Sequence, residues 1–230
     1  MNKPSFANQE LYHIYNRGVD KRIVFLDQED ILRFFQSMNE FNSINPIGSI
    51  YENSFRNQLG NRTPKLITES TNTEKLVEFI AYCLNPNHYH FIVKQISDNG
   101  VSKFMQKLGT GYSNFFNEKY DRSGSLFQGK FKARHINSNE YLLHLSAYVN
   151  LNDKVHKLSN NNQLGSPTPK LIVSKTSWDE YVTSFNDTTF CKKDMVLKQF
   201  TDGLDYKRFA ENSLKSILER KDMLELTIEN

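Results

Sequence analysis

Apolar and polar positions follow two different periods along this chain, and the switches between them mark its elements. Leu11-Tyr12-His13-Ile14-Tyr15-Asn16 is rich in β-forming residues and ends at Arg17-Gly18, which predicts a first strand followed by a turn. Ile31, Leu32, Phe34, Phe35 and Met38 then recur at helical spacing behind Asp27, a residue suited to cap the helix start. From Asn42 to Thr73 the chain turns rich in Asn, Ser, Thr and Gly, with Pro46 and Pro64, and reads as a long loop or insertion. Two apolar runs, 76–84 and 88–93, flank Asn85-Pro86-Asn87 and predict an antiparallel hairpin. A helix from about Val101 to Tyr120 carries Phe104, Leu108, Tyr112 and Phe115 on one face. Ser123-Gly124-Ser125 opens a basic, aromatic segment, Leu126 to Ile136, expected as a fourth strand or a β-ribbon. Asn137, with Glu140 three residues later, marks a capping-box-like start for a helix through Asn152.

The order strand, helix, strand, strand, helix, strand, helix predicts an α+β protein, a ferredoxin-like antiparallel sheet with helices on one face. Residues 1–158 form the expected main domain, with a loop insertion near 43–73. Residues 159–230 are expected to be a polar linker and a helical C-terminal appendage. The two polar loops share a decapeptide: Gln58 to Ile67 and Gln163 to Ile172 match at eight of ten positions. That spacing is too long for a solenoid repeat. Our hypothesis is that both loops arose from one short DNA sequence inserted in frame; unrelated codons throughout the two copies would sink it.

Bulk properties narrow the class. The N-terminus lacks a signal-peptide core and no run of about 18 apolar residues offers a membrane span, so a cytoplasmic protein without a membrane partner is expected. Cys83 and Cys191 form no CxxC spacing and suggest neither a disulfide framework nor a thiolate metal site. A net charge of +3 argues little by itself, but its distribution says more. Between Val101 and Ile136 seven Lys and Arg residues face only Glu118 and Asp121 and are interleaved with Tyr112, Phe115, Phe116, Tyr120, Phe127 and Phe131. Cations for phosphates beside aromatic faces for bases suit single-stranded nucleic acid. Solvated charges around buried aromatics would look the same.

The chemistry sits in two residue pairs. Side chains alternate along a strand, so His88 and His90 point to one face and can grip one metal ion, while Tyr89 points to the other. Tyr148 and Asn152, four apart, share a helix face. Asn152 can supply an amide oxygen as a third ligand and Tyr148 a hydroxyl beside the same ion. A divalent cation so held polarises a phosphodiester, and the tyrosine can attack it to leave a covalent phosphotyrosine and a free 3′-hydroxyl. Taken singly, each piece has an ordinary reading: satisfied histidines, a core tyrosine in the stripe Tyr141, Leu145, Tyr148, and a helix-ending Asn. His13, His135, His144 and His156 are read as packing.

Four blocks in order carry a family resemblance: Tyr12 to Gly18 followed by Val24-Phe25, Asn85 to Val93, Gly124 to Phe131, and Tyr148-Val149-Asn150-Leu151-Asn152. Together they resemble the single-tyrosine HUH transposases, specifically the REP-associated tyrosine transposase branch, over roughly residues 10–155. The resemblance implies the HUH endonuclease fold, His88, His90 and Asn152 as metal ligands, Tyr148 as nucleophile, and Mg²⁺ or Mn²⁺ as the ion. It further implies single-stranded DNA as partner, with a hairpin or palindromic repeat as target and a monomer or homodimer as the working unit. Arg17, Gln128, Lys130, Lys132 and Arg134 are the expected DNA contacts. The chain departs from the family in the bulky Tyr89 between the histidines and in Asp153, where a proline commonly follows the last Asn. Two other readings stay open: a domesticated DNA- or RNA-hairpin-binding protein of the same fold that does not cut, and a metal-dependent hydrolase of another phosphoester with Tyr148 structural.

Overall fold

A computed structural model describes residues 4–45, 47–50, 74–154 and 174–228, with side chains described as far as Ser216. Both decapeptide copies, and most of the two loops that carry them, lie outside the described residues. The elements are β1 (Leu11–Arg17), α1 (Gln28–Glu40), β2 (Val77–Asn85), β3 (His88–Gln95), α2 (Gly100–Lys119), β4 (Lys132–His135), α3 (Asn139–Asn150), β5 (Lys175–Thr176), α4 (Trp178–Val182), α5 (Asp194–Leu197) and α6 (Gly203–Ile228). The five strands form one antiparallel sheet in the order β4-β1-β3-β2-β5. Its first four strands have the ferredoxin-like arrangement expected from the element order.

Period-two patterning sorts the strand residues onto two faces. Tyr12 and Ile14 of β1, Tyr89, Phe91 and Val93 of β3, and Val77 and Phe79 of β2 pack with α1 and α2 in one core. Phe34 of α1 stands edge-on to Tyr112 of α2 at 4.7 Å and lies 5.4 Å from Tyr89. Tyr89 is therefore accommodated as core, away from the histidines beside it. The expected α1 cap is present: the Asp27 carboxylate accepts from the Asp30 amide at 2.9 Å. Lys119 and Tyr120, at the end of α2, donate to Asp27 and Asp30 and tie the two helices together.

On the second face, Ile80, Ala81, Cys83 and Ile92 pack under α3 and the C-terminal elements. The residues expected as an appendage supply Tyr181, Val196, Leu197, Tyr206, Ala210 and Leu214 to this core, and β5 pairs with β2. Helices thus lie against both faces of the sheet, α1 and α2 on one and α3 with the C-terminal segment on the other, where one covered face was expected.

Three local expectations are corrected. Phe116, not Phe115, completes the buried stripe of α2, because it lies four residues from Tyr112. The segment 126–136 is strand only over Lys132–His135; before that it meets the end of β1 through an isolated bridge between Gly18 and Phe127 and through the Asn16 side chain, which donates to the Gly129 carbonyl. A side chain at Gly18 would meet the Arg22 carbonyl at 2.2 Å, so glycine is required where β1 turns away. The last helix of the core starts one residue later than expected, capped by the Ser138 side chain accepting from Tyr141, and ends at Asn150. Leu151 leaves helical geometry at φ −108°, ψ 9°, so Asn152 lies beyond the helix that carries Tyr148.

Candidate active site

The sheet register sets the site. Tyr15 of β1 is the cross-strand neighbour of His90, which in turn pairs with Cys83; Arg17 neighbours His88, which pairs with Asn85. Lys132 of β4 lies next to Tyr15, and Arg134 next to His13. A β-bulge between Phe79 and Ala81 shifts the pairing of β2 by one residue. With the bulge, Tyr82 and Leu84 join the first core, and Asn85 comes to the histidine face.

Both imidazoles are held through Nδ1. The Asn87 side-chain oxygen lies 2.6 Å from His88 Nδ1, and His13 Nε2 lies 2.9 Å from His90 Nδ1. Burial, followed by the nearby Arg134 guanidinium, lowers the His13 pKa to about 4, so that its ring stays neutral at neutral pH. Because Asn87 Oδ1 can only accept, His88 Nδ1 carries a proton and, in a neutral ring, Nε2 presents a lone pair. That Nε2 stands 3.0 Å from Asn152 Oδ1, also an acceptor. Asn85, fully buried, donates its Nδ2 to Asn152 Oδ1 at 2.7 Å and lies 3.0 Å from His88 Nε2. Two acceptors so placed favour positive charge near them.

α3 lies across this face and brings Tyr148 to it from the same chain. The Tyr148 ring stands edge-on to His90, 5.5 Å between centroids. Burial raises the Tyr148 pKa while the Asn152 amide beside it works the other way, so the hydroxyl is a neutral phenol at neutral pH. Although Asn152 falls past the end of α3, the turn at Leu151 keeps its amide in the site. His88, His90 and Tyr148 line a cleft of about 450 Å³ together with Arg17, Lys21, Gln128 and Lys132. Arg17 Nε donates to the Gln128 side chain across this cleft. Of the other two expected contacts, Lys130 borders a neighbouring groove. Arg134 lies over the Tyr141 ring at 5.6 Å.

Among the described residues no three His, Cys, Asp or Glu side chains come together as a metal cluster. Any ion here would take two imidazoles and an amide oxygen. Sequence reasoning missed His13, Asn85 and Asn87. A signal was present for Asn85: a two-residue hairpin loop makes the residues flanking it direct neighbours, and here these are Asn85 and His88. His13 shares the strand parity of Tyr15, but only the β1–β3 register brings it diagonal to His90.

No curated protein matches the chain in sequence. A solved structure described as the REP-associated tyrosine transposase bound to a REP hairpin is similar at 12% identity, covering 68% of this chain and 73% of that one, with a TM-score of 0.42. No helix among the described residues is long and apolar enough to cross a membrane. Residues 50–152 match the family model described as transposase IS200 like. This stretch runs from before β2 to Asn152 and includes His88, His90 and Tyr148, and over it the chain is similar to that family.

Proposed function

We propose that this protein is a metal-dependent, single-tyrosine endonuclease and strand transferase for single-stranded DNA, of the REP-associated branch, cutting at the foot of a hairpin or palindromic repeat. The observation that carries this reading is the convergence of Tyr148, His90 and His88 on one cleft, with the buried Asn152 amide oxygen 3.0 Å from His88 Nε2. Tyr148 approaches the two histidines of its own chain, which supports attack in cis.

The residues fit a divalent cation, Mg²⁺ or Mn²⁺. His88 Nε2 and Asn152 Oδ1 converge as acceptors, and Asn87 and His13 hold the Nδ1 atoms of the two imidazoles, the usual way of fixing ligand rings. His88, His90 and Asn152 would hold the ion, which when bound supplies positive charge to the phosphate oxygens. Arg17 and Lys132 flank the cleft and draw the strand's phosphates toward Tyr148. Attack by the Tyr148 oxygen forms a bond to phosphorus as the 3′-oxygen leaves. The phenolic proton is matched by the one gained by the new 3′-hydroxyl, and the strand stays attached as a 5′-phosphotyrosine. Attack of another 3′-hydroxyl on that ester rejoins DNA without ATP, since one phosphoester replaces another.

Incubation with end-labelled hairpin DNA and Mn²⁺, followed by a denaturing gel, tests this reading: a protein-linked label is expected, and its absence with hairpins of varied foot sequence would reject strand transfer. Two further outcomes are expected. Lys132→Ala weakens strand binding and lowers the salt slope by about one counterion, as for a single lost phosphate contact; an unchanged slope would remove Lys132 from the DNA path. Asn87→Ala weakens Mn²⁺ binding by about 10–100-fold in titration calorimetry, because His88 loses the group that fixes its ring. Wild-type affinity in that variant would show that the Asn87 contact is incidental.

A further inference from the structure

The decapeptide shared by the two polar loops carries a second symmetry, which shows only in the genetic code. Reading outward from Pro167, the residues on one side have codons that are the reverse complements of codons for their mirror partners. Ser166 and Thr168 fit as AGT and ACT, Gly165 and Pro169 as GGG and CCC, Leu164 and Lys170 as CTT and AAG. Gln163 and Leu171 fit as CAA and TTG, Asn162 and Ile172 as AAT and ATT, Asn161 and Val173 as AAC and GTT. Six consecutive codon pairs can therefore close a stem, with the Pro167 codon as its loop. The other copy does the same around the codons of 61–63, and its six pairs run from Gly60 with Pro64 out to Phe55 with Glu69. Four of the six are common to both copies. Next outward, Arg56 and Thr68 stand where the second copy has Asn161 and Val173. Both arms differ there, yet CGT and ACG are complementary just as AAC and GTT are.

Side-chain physics gives no reason for this mirror. Complementary codons exchange A for T at the middle base, which sets polar Lys against apolar Leu and Asn against Ile, whereas cross-strand stabilisation comes from matched pairs. Both mirrored segments also fall wholly between described elements, 55–69 between Ile50 and β2 and 161–173 between α3 and β5. Connections between elements accept added residues at little cost in stability. We propose that the DNA encoding these two segments is the palindromic repeat on which this protein acts, so that its own gene holds two copies of its substrate; this rests on the strand-transfer reading of the Tyr148 cleft. That cleft offers Arg17, Lys21 and Lys132 and no carboxylate among its lining residues, which suits a DNA strand of any sequence. The mirrored codons supply the sequence: an arm AAT-CAA-CTT-GGG, its complement CCC-AAG-TTG-ATT and a short loop between them. Either strand of such a repeat folds back on itself into a hairpin whose foot Tyr148 attacks. Cutting forms the Tyr148 phosphoester as a 3′-oxygen leaves, and attack by another 3′-hydroxyl frees Tyr148, so the repeat joins new DNA with phosphoester bonds conserved.

Two measurements test this. The gene is expected to use complementary codons at the shared pairs of both copies; synonymous codons that break complementarity at most of these positions overturn the inference. Fluorescence anisotropy with the full-length protein then compares two single-stranded hairpins. One is cut from the gene over the codons of 155–176, so that its natural flanks are kept. The other has equal length and base composition, with stem and flanks shuffled but the stem still self-complementary. The encoded hairpin is expected to bind at least about tenfold more tightly, since even one wrong base pair in a recognised site costs about that much. The hairpin from the 55–69 codons, which shares the inner stem, is expected to show the same preference over its own shuffled form. Equal affinity for encoded and shuffled hairpins overturns the inference. Covalent adduct with Mn²⁺ is scored separately. Preference for the encoded hairpins without adduct supports the repeat as ligand and rejects strand transfer, whereas adduct on hairpins of other sequence, with no preference for the encoded ones, does the reverse.

Discussion

Tyr148→Phe is expected to abolish the covalent protein–DNA adduct while leaving hairpin affinity within about twofold and the melting temperature within about 2 °C. The substitution removes one oxygen and keeps the ring that packs edge-on against His90. Phenylalanine has nothing with which to form a phosphoester, and no other hydroxyl is assigned to this step. The loss is therefore one of chemistry, not of binding, and His88→Ala should show the same separation together with loss of Mn²⁺ affinity. Labelled hairpin on a denaturing gel, with affinity measured in parallel by anisotropy, gives both quantities. Adduct at wild-type level in Tyr148→Phe would assign the nucleophile elsewhere. Loss of DNA affinity in step with the adduct would mean that the tyrosine serves the fold or the strand.

Asn150→Ala is expected to be the most damaging change outside the cleft. Asn150 is fully buried and stands between Tyr148 and Asn152 in sequence, yet its amide bonds to neither. Its oxygen accepts from Ser177 at 2.5 Å and its Nδ2 donates to the Tyr206 hydroxyl at 2.8 Å, which also meets Ser146 at 3.1 Å. Ser177 in turn accepts from the Tyr82 amide at 3.0 Å, linking the network to the sheet. Truncation leaves buried hydroxyls with fewer partners, at about 1–3 kcal/mol each, or roughly 2–4 kcal/mol in all. In a domain of this size that lowers Tm by roughly 5–15 °C. It also frees the turn that holds Tyr148 and Asn152 over the histidines, so adduct formation at 25 °C should slow in variant protein that is still folded. Thermal melts followed by circular dichroism, with adduct rates below the transition, read both effects. A Tm within 1 °C of wild type would show that the network contributes little.

This network changes the meaning of the C-terminal segment. From its polar linker and short apolar runs it reads as an addition to a finished domain, because Tyr181, Tyr206 and Ala210 are too widely spaced to announce a common surface. Folded, they roof the second face of the sheet and brace α3 from behind. The site shows the same division. His88 and His90 were legible because strand alternation is local and has a period of two. Tyr148 and Asn152 were legible as a close pair, although the helix expected to join them ends between them. The basic segment 126–136 was legible as basic and aromatic, but its side chains divide between two spaces because only four of its residues pair as strand.

The amino-acid order by itself determined what depends on near neighbours: the strand and helix succession, the Asp27 cap, the hairpin around Pro86, the common face of the two histidines and the pairing of tyrosine with asparagine. Tertiary structure alone decided which of these meet. The bulge in β2 brings Asn85 to the His88 face, the β1–β3 register sets His13 against His90, and packing of α3 between the sheet and the C-terminal helices lays Tyr148 over the metal-ligating pair proposed here. These contacts join residues far apart in the chain, and their energy comes from burial and hydrogen bonds that exist only once the sheet and both of its covering layers are assembled.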